Sequence, residues 1–455
     1  MAVAVPGVIL PASDAVPTAQ PWPTRPAAYY ALTVIILATM LNFFDAGVFA
    51  MMAQRIKIDF HLTDEQLGFL IGPANIIFYV LIGIPMARLV DIYSRKIVLA
   101  CGIAAIGGIT ALGGLAQNFT QLFYSRMLVG AGGSAHAPGA YSMLADLFPP
   151  ERVPRAIGFL QLGFIGGSAL GIFLGGHLIH WAVSWPTSQW MGLTIHGWQW
   201  ILVMVGAPGL VISMLLLLAK EPSRRGSTGQ GKALPVKAVL HEIWARKAIY
   251  LPLFIGLAFS ATQAIGMQAW RAPFLIRTYG WDEARIGNWL GFTFLAASLI
   301  GAVLGTVLVE HLSKRYKDAH VRAATILFAA AAPFEIIAPL MPSGELSLLC
   351  LGVALMCGLA SAVPQNSAIQ RITPNQMRGQ ITAIYLFMFI VFGALGSQLI
   401  GSVTQRVFGS DADLWKTVVL TSSILMPAAA FAISRGIKPY GQEVERLEAL
   451  ERASA

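Results

Sequence analysis

Twelve apolar runs of about 20 to 27 residues alternate with short polar connections along the chain. They lie at about 29–53, 66–87, 97–116, 121–145, 156–182, 198–219, 249–273, 285–310, 323–342, 346–370, 380–404 and 414–434. An α-helix of about 20 residues spans the roughly 30 Å hydrocarbon core of a bilayer. Backbone groups in lipid must be satisfied within the spanning segment, so each run is expected to be a transmembrane helix. The polar intervals divide the chain into a tail (1–28), six spans (29–219), a central loop (220–248), six more spans (249–434) and a second tail (435–455).

Composition agrees with the pattern. Apolar residues make up 56% and charged residues 12%, against about 25% charged in soluble domains. The net charge of +9 would suit a nucleic-acid partner only if the cations formed one face. Instead about 23 of the 31 Lys and Arg fall in the tail and loops of one side and about four on the other, the asymmetry that fixes a cytoplasmic side. Both termini are thus expected in the cytoplasm of an inner (plasma) membrane protein. The Pro- and Ala-rich segment 1–28 lacks the basic start of a signal peptide and is expected to be a disordered tail. Cys101, Cys350 and Cys357 all sit in apolar runs and are expected to pack, not to pair.

The short connection Ala87–Lys96 carries Asp91, Ser94, Arg95 and Lys96. An acid at a helix end facing cations can form a breakable charge-assisted latch. A second version follows the eighth span, with Gly301, Gly305, Glu310, Lys314 and Arg315. The two loops occupy corresponding places in the two sets of six spans. The pattern resembles the loop between helices 2 and 3 of the major facilitator superfamily, with Ala87, Ile92 and Ser94 departing from its usual residues. That resemblance implies an all-α membrane fold of twelve transmembrane helices in two pseudo-symmetric six-helix bundles. It also implies a conformational gate at Asp91, Arg95 and Lys96, repeated at Glu310, Lys314 and Arg315.

More specific stretches are Leu41-Asn42-Phe43-Phe44-Asp45, Arg126 with Val129-Gly130-Ala131-Gly132, Asp146-Leu147-Phe148-Pro149-Pro150, Trp270-Arg271-Ala272-Pro273-Phe274 and Gln370 to Gln380. Together they resemble the spinster-like branch, whose members include lysolipid and sphingosine-phosphate transporters. Two positions depart from it. Ala46 stands where the branch usually has Arg, and Gly133 where it usually has Glu, which weakens any proton-coupling scheme carried over from the family.

Ionisable groups inside spans are costly and tend to face a cavity or a partner. Asp45 lies about 16 residues into the first span, roughly 24 Å along it. Arg126 enters the antiparallel fourth span from the other side and reaches a similar depth. The two are expected to meet, with Asn42, His136 and Arg271 as further candidates for substrate and proton handling. Glu335 receives no role. Gly163, Gly167, Gly171 and Gly175 recur every fourth residue, a face on which two helices approach closely, as static packing or as a sliding surface.

Ser134 and His136 are too close in sequence to act as a nucleophile–base pair on one helix. The sequence shows no metal-ligand cluster, phosphate-binding loop or soluble catalytic domain. No enzyme activity, metal or cofactor is expected, and no nucleic-acid partner. The expected partners are membrane lipid, protons and a small-molecule or lipid-like substrate, handled by a monomer. The reading is a secondary active transporter for an amphipathic organic anion or lysolipid. A proton-linked symporter of small carboxylates is one alternative, and a transport-inactive receptor or scaffold another.

Overall fold

The computed structural model describes residues 22–190, 192–224, 236–374 and 376–454. Most of the N-terminal tail and the centre of the 220–248 loop therefore lie outside the described residues. Among the described residues, eleven helical segments are long and apolar enough to cross a bilayer, and an interrupted fourth span makes twelve.

The first span, α1 (Arg25–Asp59), starts a few residues early because Pro26 favours the first helical turn. The second is split into α2 (Asp64–Ile71) and α3 (Pro73–Ile92). Gly72, at φ −117° and ψ −89°, leaves the helical region, and Pro73 has no N–H to continue the ladder. The third is α4 (Arg95–Gly113). The fourth is split into α5 (Phe119–Gly133) and α6 (His136–Leu147), where Pro138 cannot donate back to the Ser134 carbonyl. Then come α7 (Val153–Ala182), a two-stranded antiparallel ribbon of β1 (Ser188–Trp190) and β2 (Leu193–Ile195), and α8 (Gly197–Leu218).

A short helix, α9 (Val236–Ala245), precedes α10 (Lys247–Tyr279), α11 (Glu283–Ser313), α12 (Ala319–Ile337), α13 (Gly344–Ile372), α14 (Arg378–Val403) and α15 (Leu414–Ser434). The segment expected as a second tail forms α16 (Ile437–Ser454). It is tied down because Tyr440 and Val444, one turn apart, are buried with Val239 and Ile243 of α9. An even number of spans puts Arg25 and Ser434 on one face, called the terminal face below. The other is the far face.

Helix pairings in the first six spans recur in the second six. The α1–α7 contact matches α10–α14, α4–α8 matches α12–α15, and α3–α5 matches α11–α13. Across the boundary, α7 meets α11, α14 meets α2 and α3, and α1 meets α10.

The expected glycine stripe faces α1 within its own bundle. A Cβ on Gly167 would stand 2.4 Å from the Met40 carbonyl oxygen, and one on Gly171 2.5 Å from that of Phe44. Gly163 and Gly175 meet Ile36 and Val48 on the same seam. The boundary between bundles uses other glycines. A Cβ on Gly176 would lie 2.3 Å from the Glu283 carbonyl oxygen, and one on Gly401 2.2 Å from that of Asp64.

Candidate functional site

A cavity of about 430 Å³ lies in the first bundle, with Leu386, Phe389 and Ile390 of α14 as its wall from the second. Phe43, Ile76, Tyr79 and Phe164 make most of it apolar or aromatic. Asp45 closes it toward the far face. Its carboxylate accepts from Arg126 Nη1 at 3.1 Å and from Thr110 Oγ1 at 3.0 Å, while Arg126 Nη2 lies 3.2 Å from the same hydroxyl. The Arg126 guanidinium also stands 4.5 Å from the Phe49 ring centre. Both charges are almost wholly buried, Asp45 at 4% and Arg126 at 2% exposure. Burial of either alone would cost several kcal/mol. Thr110 comes from the third span, and neither its register nor its hydroxyl was singled out by the sequence.

One level toward the terminal face, His136 Nε2 lies 2.7 Å from Thr39 Oγ1. The Thr39 hydroxyl sits 2.9 Å from the Ile35 carbonyl, a bond only it can donate. With its proton placed there, His136 Nε2–H is the donor and Nδ1 is the free acceptor, which has no partner among the described residues. Asn42 and Gln161 line the same cavity. So does Gly133, where an added Cβ would meet only Asn42 Oδ1 at 3.7 Å and Tyr79 at 3.9 Å. The glycine thus leaves open a place that a longer side chain would fill.

Arg271 stands apart from this cluster. It is buried on α10, beside Gln268, in a cleft of about 20 Å³ against Gly47 and Met51 of α1. That is room for about one water. Its guanidinium has no hydrogen bond or ion pair with a described residue, and Nε is a buried orphan. Glu335 on α12 is buried as well and accepts from Gln263 Nε2 at 3.3 Å, and Gln263 also donates to Ser422 Oγ at 2.8 Å. This second polar group gives Glu335 a setting that its position in sequence did not suggest.

The far face is closed by charge. Asp64, fully buried, takes both guanidinium nitrogens of Arg277 at 2.7 and 2.8 Å and Lys57 Nζ at 2.7 Å. Lys57 reaches Asp411 as well. Arg55 pairs with Glu283 at 2.8 Å, and Arg406 holds Glu65. His177 meets Asn288 at 2.9 Å. Among the described residues, every ion pair joining the two bundles lies at this face. Sequence reasoning passed over these groups, since charges at span ends are ordinary. Their one signal was the capping pattern Thr63-Asp64-Glu65-Gln66, which starts a helix inside a charged connection.

At the terminal face the expected gate residues part company. Asp91 is exposed and makes no ion pair with a described residue. Arg95 is buried, at 2% exposure. It bonds to Asp146, to the Ser142 carbonyl and hydroxyl at 3.1 Å each, and to the Pro222 carbonyl at 2.8 Å. Its backbone N–H donates to Glu221 at 2.7 Å. Lys96 caps the end of α8 through the Leu217 and Ala219 carbonyls, at 3.2 and 3.1 Å. In the second loop Glu310 and Lys314 are exposed without partners among the described residues, and Arg315 lies 5.5 Å from the Tyr316 ring centre.

A chain with twelve spans, two matched bundles, a cavity with a buried ion pair and an inter-bundle charge network at one face is built as a membrane transporter. Residues 35–397 match the model of the Major Facilitator Superfamily, and the chain belongs to that family. Within it the chain is spinster-like. It is 24% identical to the protein spinster of Drosophila melanogaster, over 99% of this chain and 74% of that one. It is 27% identical to an MFS-type efflux pump of Mycolicibacterium smegmatis, over 84% of this chain and 85% of the pump. Its fold matches a bacterial homologue of the human lysosomal transporter Spinster, solved inward-facing and unoccupied. The TM-score is 0.76 at 24% identity, covering 93% of this chain and 98% of the homologue.

Proposed function

We propose that the chain is a secondary active transporter that carries an amphipathic organic anion, of lysolipid type, by alternating access. The observation that supports this most is the buried Asp45–Arg126 pair at the blind end of a largely apolar cavity. The apolar wall suits an acyl chain or ring system, and the pair is a cation held in reserve. Protonating Asp45 removes its charge, weakens its hold on Arg126 and lets the guanidinium accept an anionic group. His136 and Asn42 line the path toward that point. Arg271 supplies a second cation, and its cleft against α1 opens when the far face parts.

With the terminal face in the cytoplasm, as the cation asymmetry supports, this is an inward-facing state and both chain ends are intracellular. Asp91 and Glu310, which make no ion pair with a described residue, then engage only when the terminal ends of the bundles close. The cycle exchanges one charged closure for the other.

Purified protein in liposomes tests this reading. A lysophospholipid should be taken up faster under an imposed pH gradient, and a small aromatic carboxylate should compete weakly. Uptake of the carboxylate alone would favour a symporter of small acids. Binding without uptake of either would favour a receptor.

A further inference from the structure

A second cavity, of about 660 Å³, lies at the foot of the α1–α7 seam on the terminal face. Its floor is apolar, made by the buried Leu32, Phe148 and Ala156. Its rim carries three arginines, Arg25, Arg152 and Arg155, all exposed. No acid lines it, and none of the three guanidinium groups makes an ion pair or hydrogen bond with a described residue. Glu151, next in sequence, is exposed and makes no ion pair with them. Tyr29 and Phe159, each 50% exposed, form apolar walls, and Tyr29 packs edge-on against Phe148 at 5.5 Å.

A second basic cluster on this face differs. There Arg322 holds Asp318 at 2.8 Å and Lys317 holds Glu448 at 2.6 Å, so part of its charge is already neutralised. Arg25 is the first residue of α1 and Arg152 precedes the first turn of α7, so two helix N-termini also converge on the pocket. Three guanidinium groups without an ion-pair partner among the described residues, over an apolar floor at the ends of two spans, match the headgroup level of a bilayer. From this geometry we infer that the pocket binds the phosphate headgroup of an anionic phospholipid, with an acyl chain lying over Phe159. The site is separate from the central cavity, and the inference does not depend on what the protein transports.

The test uses the full chain in detergent, with thermal stability read after adding phosphatidylglycerol, phosphatidylcholine or inorganic phosphate. Phosphatidylglycerol should raise the transition temperature, and the other two should not. Replacing Arg25, Arg152 and Arg155 together by Gln should abolish the rise. Each single replacement should weaken phosphatidylglycerol binding roughly fivefold, the equivalent of about 1 kcal/mol per cation near an anionic surface. The control Arg315→Gln with Lys317→Gln should keep the full rise. Should the triple variant express poorly, the single charge reversal Arg155→Glu carries the same expectation, read as bound phosphatidylglycerol by native mass spectrometry. An unchanged rise in the triple variant, an equal loss in the control, or an equal rise with inorganic phosphate or phosphatidylcholine would overturn the inference.

Discussion

Arg277, from the second bundle, grips both carboxylate oxygens of Asp64 in the first, at 2.7 and 2.8 Å, while Asp64 is sealed from solvent. The contact cannot survive any movement that parts the two bundles at this face. In the proposed cycle it therefore stabilises one state of the protein and not the other, and its loss should act on the equilibrium between them. Two charge-assisted bonds of roughly 1.5–3 kcal/mol each are at stake. Asp64→Asn should raise the population open at the far face by at least about tenfold. A cysteine at Leu290, which lines the Arg271 cleft, reports this by its rate of maleimide labelling. Unaltered labelling would show that the contact does not hold the face shut.

Asp45 and Arg126 predict a coupled response. Asp45→Asn should leave substrate binding but remove its dependence on a pH gradient. Arg126→Ala should abolish binding of an anionic substrate by leaving Asp45 buried and unpaired, and should cost roughly 3–5 kcal/mol of stability. The double variant Asp45→Asn with Arg126→Gln should be more stable than the sum of the single losses allows, because no lone charge stays buried. Strictly additive losses in a thermal cycle would rule out a direct energetic pair.

The glycines of the fourth span should divide sharply. A Cβ on Gly130 would sit 1.9 Å from the Asn75 carbonyl oxygen, so Gly130→Ala should prevent normal folding. Gly133 faces open cavity, and Gly133→Glu should fold with a transition temperature near that of the wild type. Its new carboxylate would lie beside Asn42 and Tyr79 and should steepen the pH dependence of uptake. Aggregation of the Gly133→Glu protein would show that the cavity does not extend to this residue.

Two glycines of α7 separate packing from movement. Gly167 lies on the seam with α1 inside one bundle, and Gly167→Ala should lower stability by roughly 1–3 kcal/mol, as overpacking does. Gly176 meets α11 across the boundary, and Gly176→Ala should spare overall stability but favour the state in which the far ends have parted. Circular dichroism melts, set beside labelling at position 290, distinguish the two. Equal loss of fold in both variants would mean that the boundary is as fixed as the bundle interior.

Much of this architecture could be read from residue order, for a reason that differs with each element. The spans follow from length and apolarity alone. Asp45 and Arg126 could be brought to one depth because a helix advances by a fixed rise, so counting residues measures height. Thr110 could not be placed, since a threonine among apolar neighbours looks like any other. The fourth span reads as continuous even though Pro138 breaks it, because its apolarity runs through the break. The far-face contacts join residues hundreds of positions apart, such as Lys57 and Asp411. In the proposed cycle they depend on which state the molecule occupies, and a single sequence encodes both states. In the same way Asp91 reads as a latch, yet in the present state the neighbouring Arg95 is the buried one.

That buried Arg95 bears on biosynthesis. Its partners, Ser142, Asp146, Glu221 and Pro222, are all supplied before residue 225. A ribosome that has delivered the chain as far as Pro222, just past the sixth span, has thus also delivered the groups that fasten α4, the end of α6 and the segment leaving α8. The first bundle can be secured while the second is still being translated, and the later helices then insert beside a finished partner. Two polypeptides divided within 225–235 and made together would carry the same clasp intact on the first of them.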